Sequence, residues 1–296
     1  MAINQIRDPL YEAWRQEPAW VLLAAFGLIS LVLAVTGLCL DPRSTADAYL
    51  WIKPCKFSIS IATYAISLLW LSGYVKGHAK LLRATAIAAC VGGGLELSGI
   101  LLQTLHGIKL HFDTTTAESL CISMVVRFAI LPVALAAFII YCLLAKQRNL
   151  PPVVGLAMKW GMLLTIVGFI PGMMMLMPGL VPGHAHGVPL LGWSTVSGDL
   201  RAAHFVGIHA LQLLPIIGCL IKRHCWRLTT RQQESLVSNA GGTYFSIFSL
   251  LCWQALRSES LFAPSALTAS CLAIIVIYCV TNAFIIYCSH YAADVC

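Results

Sequence analysis

Gly198-Asp-Leu-Arg-Ala-Ala-His-Phe-Val-Gly-Ile-His-Ala-Leu-Gln-Leu-Leu-Pro-Ile-Ile-Gly-Cys-Leu-Ile221 is the stretch on which the reading of the chain turns. From Leu200 onward it is apolar and long enough to cross a bilayer, which takes about 20 helical residues for a 30 Å hydrocarbon core. Its first half nevertheless carries Asp199, Arg201, His204, His209 and Gln212. Ionisable side chains inside a span are costly and are retained for a reason. At about 100° per residue, His204, Arg201, Gln212 and His209 fall at roughly 0°, 60°, 80° and 140°. They share one side of the helix, so that side must meet polar surface.

The remainder of the chain fits a membrane setting. Of 296 residues, 59% are hydrophobic and 10% are charged, against about 25% charged in soluble domains. The apolar runs are continuous rather than alternating, which predicts helices and not a β-barrel. We therefore expect an all-α, polytopic bundle of about eight transmembrane helices forming one domain over residues 1–296. The expected spans are 20–40, 57–75, 83–105, 120–144, 155–177, 200–221, 240–256 and 266–288, the seventh being the shortest. The first 19 residues lack an apolar core, so no signal peptide is expected there and the first span serves as insertion signal. No internal repeat stands out.

With an even number of spans both termini share a side. Twelve Lys and Arg residues then fall on that side and six on the other, with Arg127 inside a span. The positive-inside rule predicts cytoplasmic termini, in a bacterial inner (plasma) membrane. The net charge of +7 is spent in short loops and signals topology rather than nucleic-acid binding. The twelve cysteines lie mostly within apolar runs and read as small packing residues. Cys39 and Cys55 flank one outer loop, where a disulfide would be compatible with the sequence.

A second polar stripe lies on the third span. From Cys90 it reads Cys-Val-Gly-Gly-Gly-Leu-Glu-Leu-Ser-Gly-Ile-Leu-Leu-Gln-Thr-Leu-His. With Glu96 at 0°, Gly92, Gly99, Gln103 and His106 lie within an arc of about 80°. The glycines thin the stripe, so a helix or a flat cofactor can approach closely. Glu96 and His209 are each about nine residues, roughly 14 Å, below the outer ends of their spans. On matched depth we expect the third and sixth spans to touch. Glu96 would then lie near His209 or Gln212, and Gln103 or His106 near His204. The plainer alternative is that these side chains are interhelical hydrogen-bond partners and nothing more.

Other candidates follow from position. Arg127, in the outer half of the fourth span, needs an anionic partner: Glu96, Asp113, Glu118 or a bound anion. Lys53 and Lys56 flank Pro54 and either snorkel to the interface or attract anions at the mouth. Gly172-Met-Met-Met-Leu-Met-Pro-Gly179, followed by His184 and His186, has the soft donors that suit Cu(I), though such methionines are more often packing. His106 and His111 lie near the outer end of the third span. No dinucleotide fingerprint, phosphate loop, His-Glu-x-x-His or Gly-x-Ser-x-Gly motif occurs.

Three function classes fit. The first is a membrane oxidoreductase using a haem or a transition metal. His204, His209, His106 and His111 would be ligands, and Lys53, Arg127 and Arg201 would hold cofactor anions. Glu96, Arg127, Arg201, Gln103 and Gln212 would then line the reacting centre, with a small-molecule substrate entering at the outer face. The second is a proton-coupled small-solute transporter or channel working through Glu96, Arg127 and His209. The third is a non-catalytic membrane subunit or sensor.

Overall fold

The computed structural model describes residues 9–44, 49–107, 117–175, 177, 187–188 and 192–293. It is all-helical: the described residues form nine helices and no strand. In order they are α1 (Pro9–Gln16), α2 (Pro18–Leu40), α3 (Ile52–Ser72), α4 (Ala79–Leu105), α5 (Ala117–Ala145), α6 (Pro152–Met174), α7 (Leu200–His224), α8 (Thr230–Leu256) and α9 (Ala266–Ala293). All but α1 and α8 are long and apolar enough to cross a membrane, and the chain is a multi-pass integral membrane protein. Large apolar side chains such as Ile29, Val32, Phe128, Ile274 and Phe284 are exposed along these helices. A soluble protein does not tolerate apolar exposure on that scale; a bilayer does.

Local chemistry sets the helix ends. Pro18 and Pro152 occupy first turns, where the missing N–H has no intrahelical partner in any case. Pro54 likewise lies in the first turn of α3, so that helix starts at Ile52 rather than at 57. α8 begins ten residues earlier than its apolar core suggests. Thr229 and Gln232 form a reciprocal capping box at its start, which satisfies donors the first turn leaves orphaned. α8 is not apolar enough to count as a membrane span: polar residues start it, and Gly241, Gly242, Thr243 and Gln254 interrupt its apolar part.

The helices group into two units, residues 1–147 and 148–296. In the first, α2 packs on α3 and α4, and α5 packs on α3 and α4. Trp20, Leu23, Leu68, Leu97 and Ile100 are fully buried there. The Tyr64 hydroxyl donates to the Val133 carbonyl at 2.8 Å, beside Pro132 inside α5.

In the second unit α6 lies along α7, with α8 against both and α9 against α8. Small residues make the α6–α7 contact. A methyl added at Gly168 would come within 2.7 Å of the Gly207 Cα, and one at Gly161 within 2.8 Å of the Ala210 carbonyl oxygen. Backbones this close gain dispersion contacts that larger residues would prevent. The Thr165 hydroxyl reaches across to the Ile208 carbonyl at 3.2 Å, and the Tyr244 hydroxyl on α8 reaches the Val206 carbonyl at 2.5 Å.

This packing makes a measurable demand. Gly168→Ala must push α6 off α7, at about 1–3 kcal/mol for an overpacked contact, and should lower the unfolding temperature of the purified protein in detergent. Gly242→Ala meets open space and should leave it unchanged. Equal behaviour of the two variants would refute the backbone contact.

Candidate functional site: two buried polar clusters

In the second unit the polar cluster starts at the head of α7. Asp199 is its N-cap: one carboxylate oxygen accepts from the Arg201 backbone N–H at 2.9 Å, as caps of this type do. The Arg201 guanidinium folds back on the same carboxylate, with Nε 2.8 Å and Nη2 2.7 Å from its two oxygens. The Ser194 N–H donates a further bond at 2.9 Å. Burial pushes the Asp199 carboxyl up, but Arg201 and the two backbone donors outweigh it and hold the group below its ordinary value. Arg201 is thus engaged with its own helix cap.

One turn further on, His204 Nδ1 is 2.8 Å from the Gly168 carbonyl of α6. A carbonyl only accepts, so Nδ1 carries the proton and Nε2 keeps the lone pair. Gly172 makes the room, since a methyl there would lie 2.7 Å from the ring Cε1. His209 repeats the pattern with a side-chain partner. Its Nδ1 is 3.2 Å from the Gln212 Oε1, which leaves the lone pair on Nε2. That Nε2 is buried and has no hydrogen-bond partner. The Phe205 ring lies 4.3 Å from the His209 ring, centroid to centroid, and Trp193 stands 5.9 Å from Phe205. Phe169 is 6.3 Å from His204.

The first unit holds the acidic cluster. Glu96 is buried in α4 at 5% exposure, and the charge that acts on it is the ammonium of Lys53 on α3. Lys53 also lies over the Phe57 ring at 5.7 Å. Gln103, fully buried, donates to the Ser123 hydroxyl of α5 at 3.3 Å, while its Oε1 is buried without a partner. Arg127 is half-buried one turn beyond Ser123, on the same face of α5. The glycine stripe of α4 is taken up by α5: a methyl at Gly92 would run into the Ala129 carbonyl, and one at Gly99 into Val126. Lys56 is exposed, and so is His106 at the end of α4.

Of the sequence candidates, the structure therefore joins His209 with Gln212, His204 with the α6 backbone and Gln103 with Ser123, while Glu96 is buried in α4. Glu96 and His209 belong to different units. His111, Asp113, His184 and His186 lie outside the described residues. Cys39 and Cys55 are free thiols. Among the described residues no group of three or more His, Cys, Asp or Glu side chains could hold a metal ion.

Sequence reasoning missed Ser123, the partner of Gln103, and it missed a repeated device. Asp41-Pro-Arg43, at the end of α2, folds as Asp199-Leu-Arg201 does. The Asp41 carboxylate accepts from the Arg43 N–H at 3.1 Å and from its Nε at 2.9 Å, and takes a third donor from the Trp51 indole at 2.8 Å. These bonds hold Asp41 well below the usual carboxylate range. Arg43 in turn donates to the Leu105 carbonyl at the end of α4, at 3.3 Å. The recurring Asp-x-Arg was the available signal. Comparison with known proteins finds no matching family model, no matching curated protein and no matching solved structure.

Proposed function

We propose that this chain is a membrane oxidoreductase whose His209 would hold a haem through Nε2, the haem supplying the electron-carrying centre. The observation that supports it is the His209 Nε2: a buried imidazole lone pair, without partner, on a ring held through its opposite nitrogen by Gln212. Imidazole ligands of metals are oriented in this way, by a hydrogen bond from the nitrogen that does not bind. An ion that draws three or four ligands from the protein finds no such set among the described residues. A haem brings four nitrogens of its own and needs one or two from the chain. Phe205 packs on the His209 ring, centroids 4.3 Å apart and planes tilted by 57°.

The purified protein should show a Soret band that shifts on reduction. His209→Gly should lose it and regain it with added imidazole, which separates ligand loss from misfolding. Gln212→Ala should weaken haem retention by about tenfold, as loss of an orienting partner does. His106→Ala, at an exposed helix end, should retain the band. A colourless wild-type protein, or full haem content in His209→Gly without imidazole, would overturn the reading.

A second reading, proton-coupled transport of a small solute, is favoured by Glu96. A carboxyl buried in a span, as Glu96 is at 5% exposure, can take up and release a proton. In proteoliposomes, Glu96→Gln should abolish any dependence of solute uptake on the pH gradient, and Glu96→Asp should keep part of it. Uptake with the same pH dependence in Glu96→Gln would exclude it.

The twelve-to-six charge asymmetry supports cytoplasmic termini in a bacterial inner membrane, an arrangement that requires α8 to cross. Topology reporters fused after Arg227 and after Ser258 should then report opposite sides. The same side for both would place α8 along the surface and the C-terminus opposite the N-terminus.

A further inference from the structure

A cavity of about 530 Å³ opens where α1 meets α2, beside the end of α3 and the first turns of α4. Gln16, Glu17, Ser72, Gly73, Lys80 and Arg83 line its polar part. Glu17 is 7% exposed, and its Oε1 is buried with no hydrogen-bond partner. The Arg83 Nε stands 3.8 Å from that oxygen, too far to donate, and the Arg83 side chain is 64% exposed. Burying a carboxylate without a full set of donors is costly. The cavity thus offers a carboxylate oxygen without a hydrogen-bond donor, its one ion pair among the described residues the long contact to Arg83, beside two exposed cations, Lys80 and Arg83.

Position narrows the ligand. Glu17 directly precedes the first span and Ser72 ends the next, so the cavity lies at a membrane boundary. Leu22 and Leu81 are exposed nearby and Trp14 is exposed on α1, the aromatic and apolar composition of an interface. A zwitterion carrying a primary ammonium and a phosphate at that level is the head of an aminophospholipid. We propose that this cavity binds phosphatidylethanolamine, its ammonium donating to Glu17 and its phosphate meeting Lys80 and Arg83. A choline head has the same charges but no N–H to give. A glycerol head has no cation for the carboxylate.

The test is native mass spectrometry of the full chain in detergent, titrated with phosphatidylethanolamine, its N-methyl and N,N-dimethyl derivatives, phosphatidylcholine and phosphatidylglycerol. Affinity should fall along the methylation series. The total loss from ethanolamine to choline should be about tenfold, the equilibrium equivalent of one charge-assisted hydrogen bond. Glu17→Gln should remove that preference, and Arg83→Ala should weaken all phospholipids alike. The methylation series uses the native chain, so it decides the matter even where a variant does not fold. Equal binding of ethanolamine and choline lipids overturns the proposal, as does tighter binding of phosphatidylglycerol, which would mark a simple anion site. Soluble phosphoethanolamine displacing the lipid at equal concentration would make the ligand a free metabolite and overturn the lipid assignment.

Discussion

Inside a bilayer a polar group has no water to turn to, and every other feature of this protein follows from that constraint. Backbone groups meet it by forming helices. Side chains meet it by finding partners in the protein. The Tyr64 and Tyr244 hydroxyls each donate to a carbonyl on a neighbouring helix, and the Thr165 hydroxyl is shared between the Gly161 carbonyl of its own helix and the Ile208 carbonyl of α7. These carbonyls already belong to helical ladders, so the second lone pair of the peptide oxygen becomes the attachment point between helices.

The same constraint explains why small residues and polar residues recur together. A carbonyl can accept a side-chain donor from the next helix only where that helix comes close. Gly168 serves both purposes: its missing side chain lets α7 approach at Gly207, and its carbonyl holds His204. Gly172 then leaves the space the imidazole occupies. Close packing and the tautomer of His204 are thus one arrangement, and a bulkier residue at either glycine would disturb both.

Fixing one nitrogen of an imidazole defines what the other can do. His204 and His209 are both held through Nδ1, by a carbonyl and by an amide oxygen. Each therefore presents Nε2 as a base or a ligand. The two Asp-x-Arg clamps work on another level. Each closes a carboxylate on its own guanidinium and on a donor from the adjoining loop, so the charges at these helix ends are neutralised locally rather than left for a ligand.

Much of the fold was legible in the residues. Continuous apolar runs require helices in lipid, and seven helices among the described residues are long and apolar enough to cross a membrane, α8 not among them. That helix extends through Arg231, Gln232, Gln233 and Glu234, where hydropathy is silent and only the Thr229–Gln232 capping box signals a start. The buried Glu96 and Gln103 and the half-buried His204 and His209 could also be picked out, because an ionisable or amide group in an apolar run is conspicuous by composition alone. Which partner each would take could not be read. Helical angle gives the side of a helix on which a residue lies, but not which helix covers that side. The α4 glycine stripe was as open to a cofactor as to a helix, and packing gave it to α5. Arg201 read as a cation for a ligand, and its own cap, Asp199, claimed it. Sequence by itself determined that this is a multi-pass helical membrane protein with polar groups buried in its spans, since the cost of exposing either kind of residue to the wrong solvent is local. Only tertiary structure decided that Gln103 meets Ser123 and that His204 meets the Gly168 carbonyl, because those facts depend on distances between segments apart in the chain.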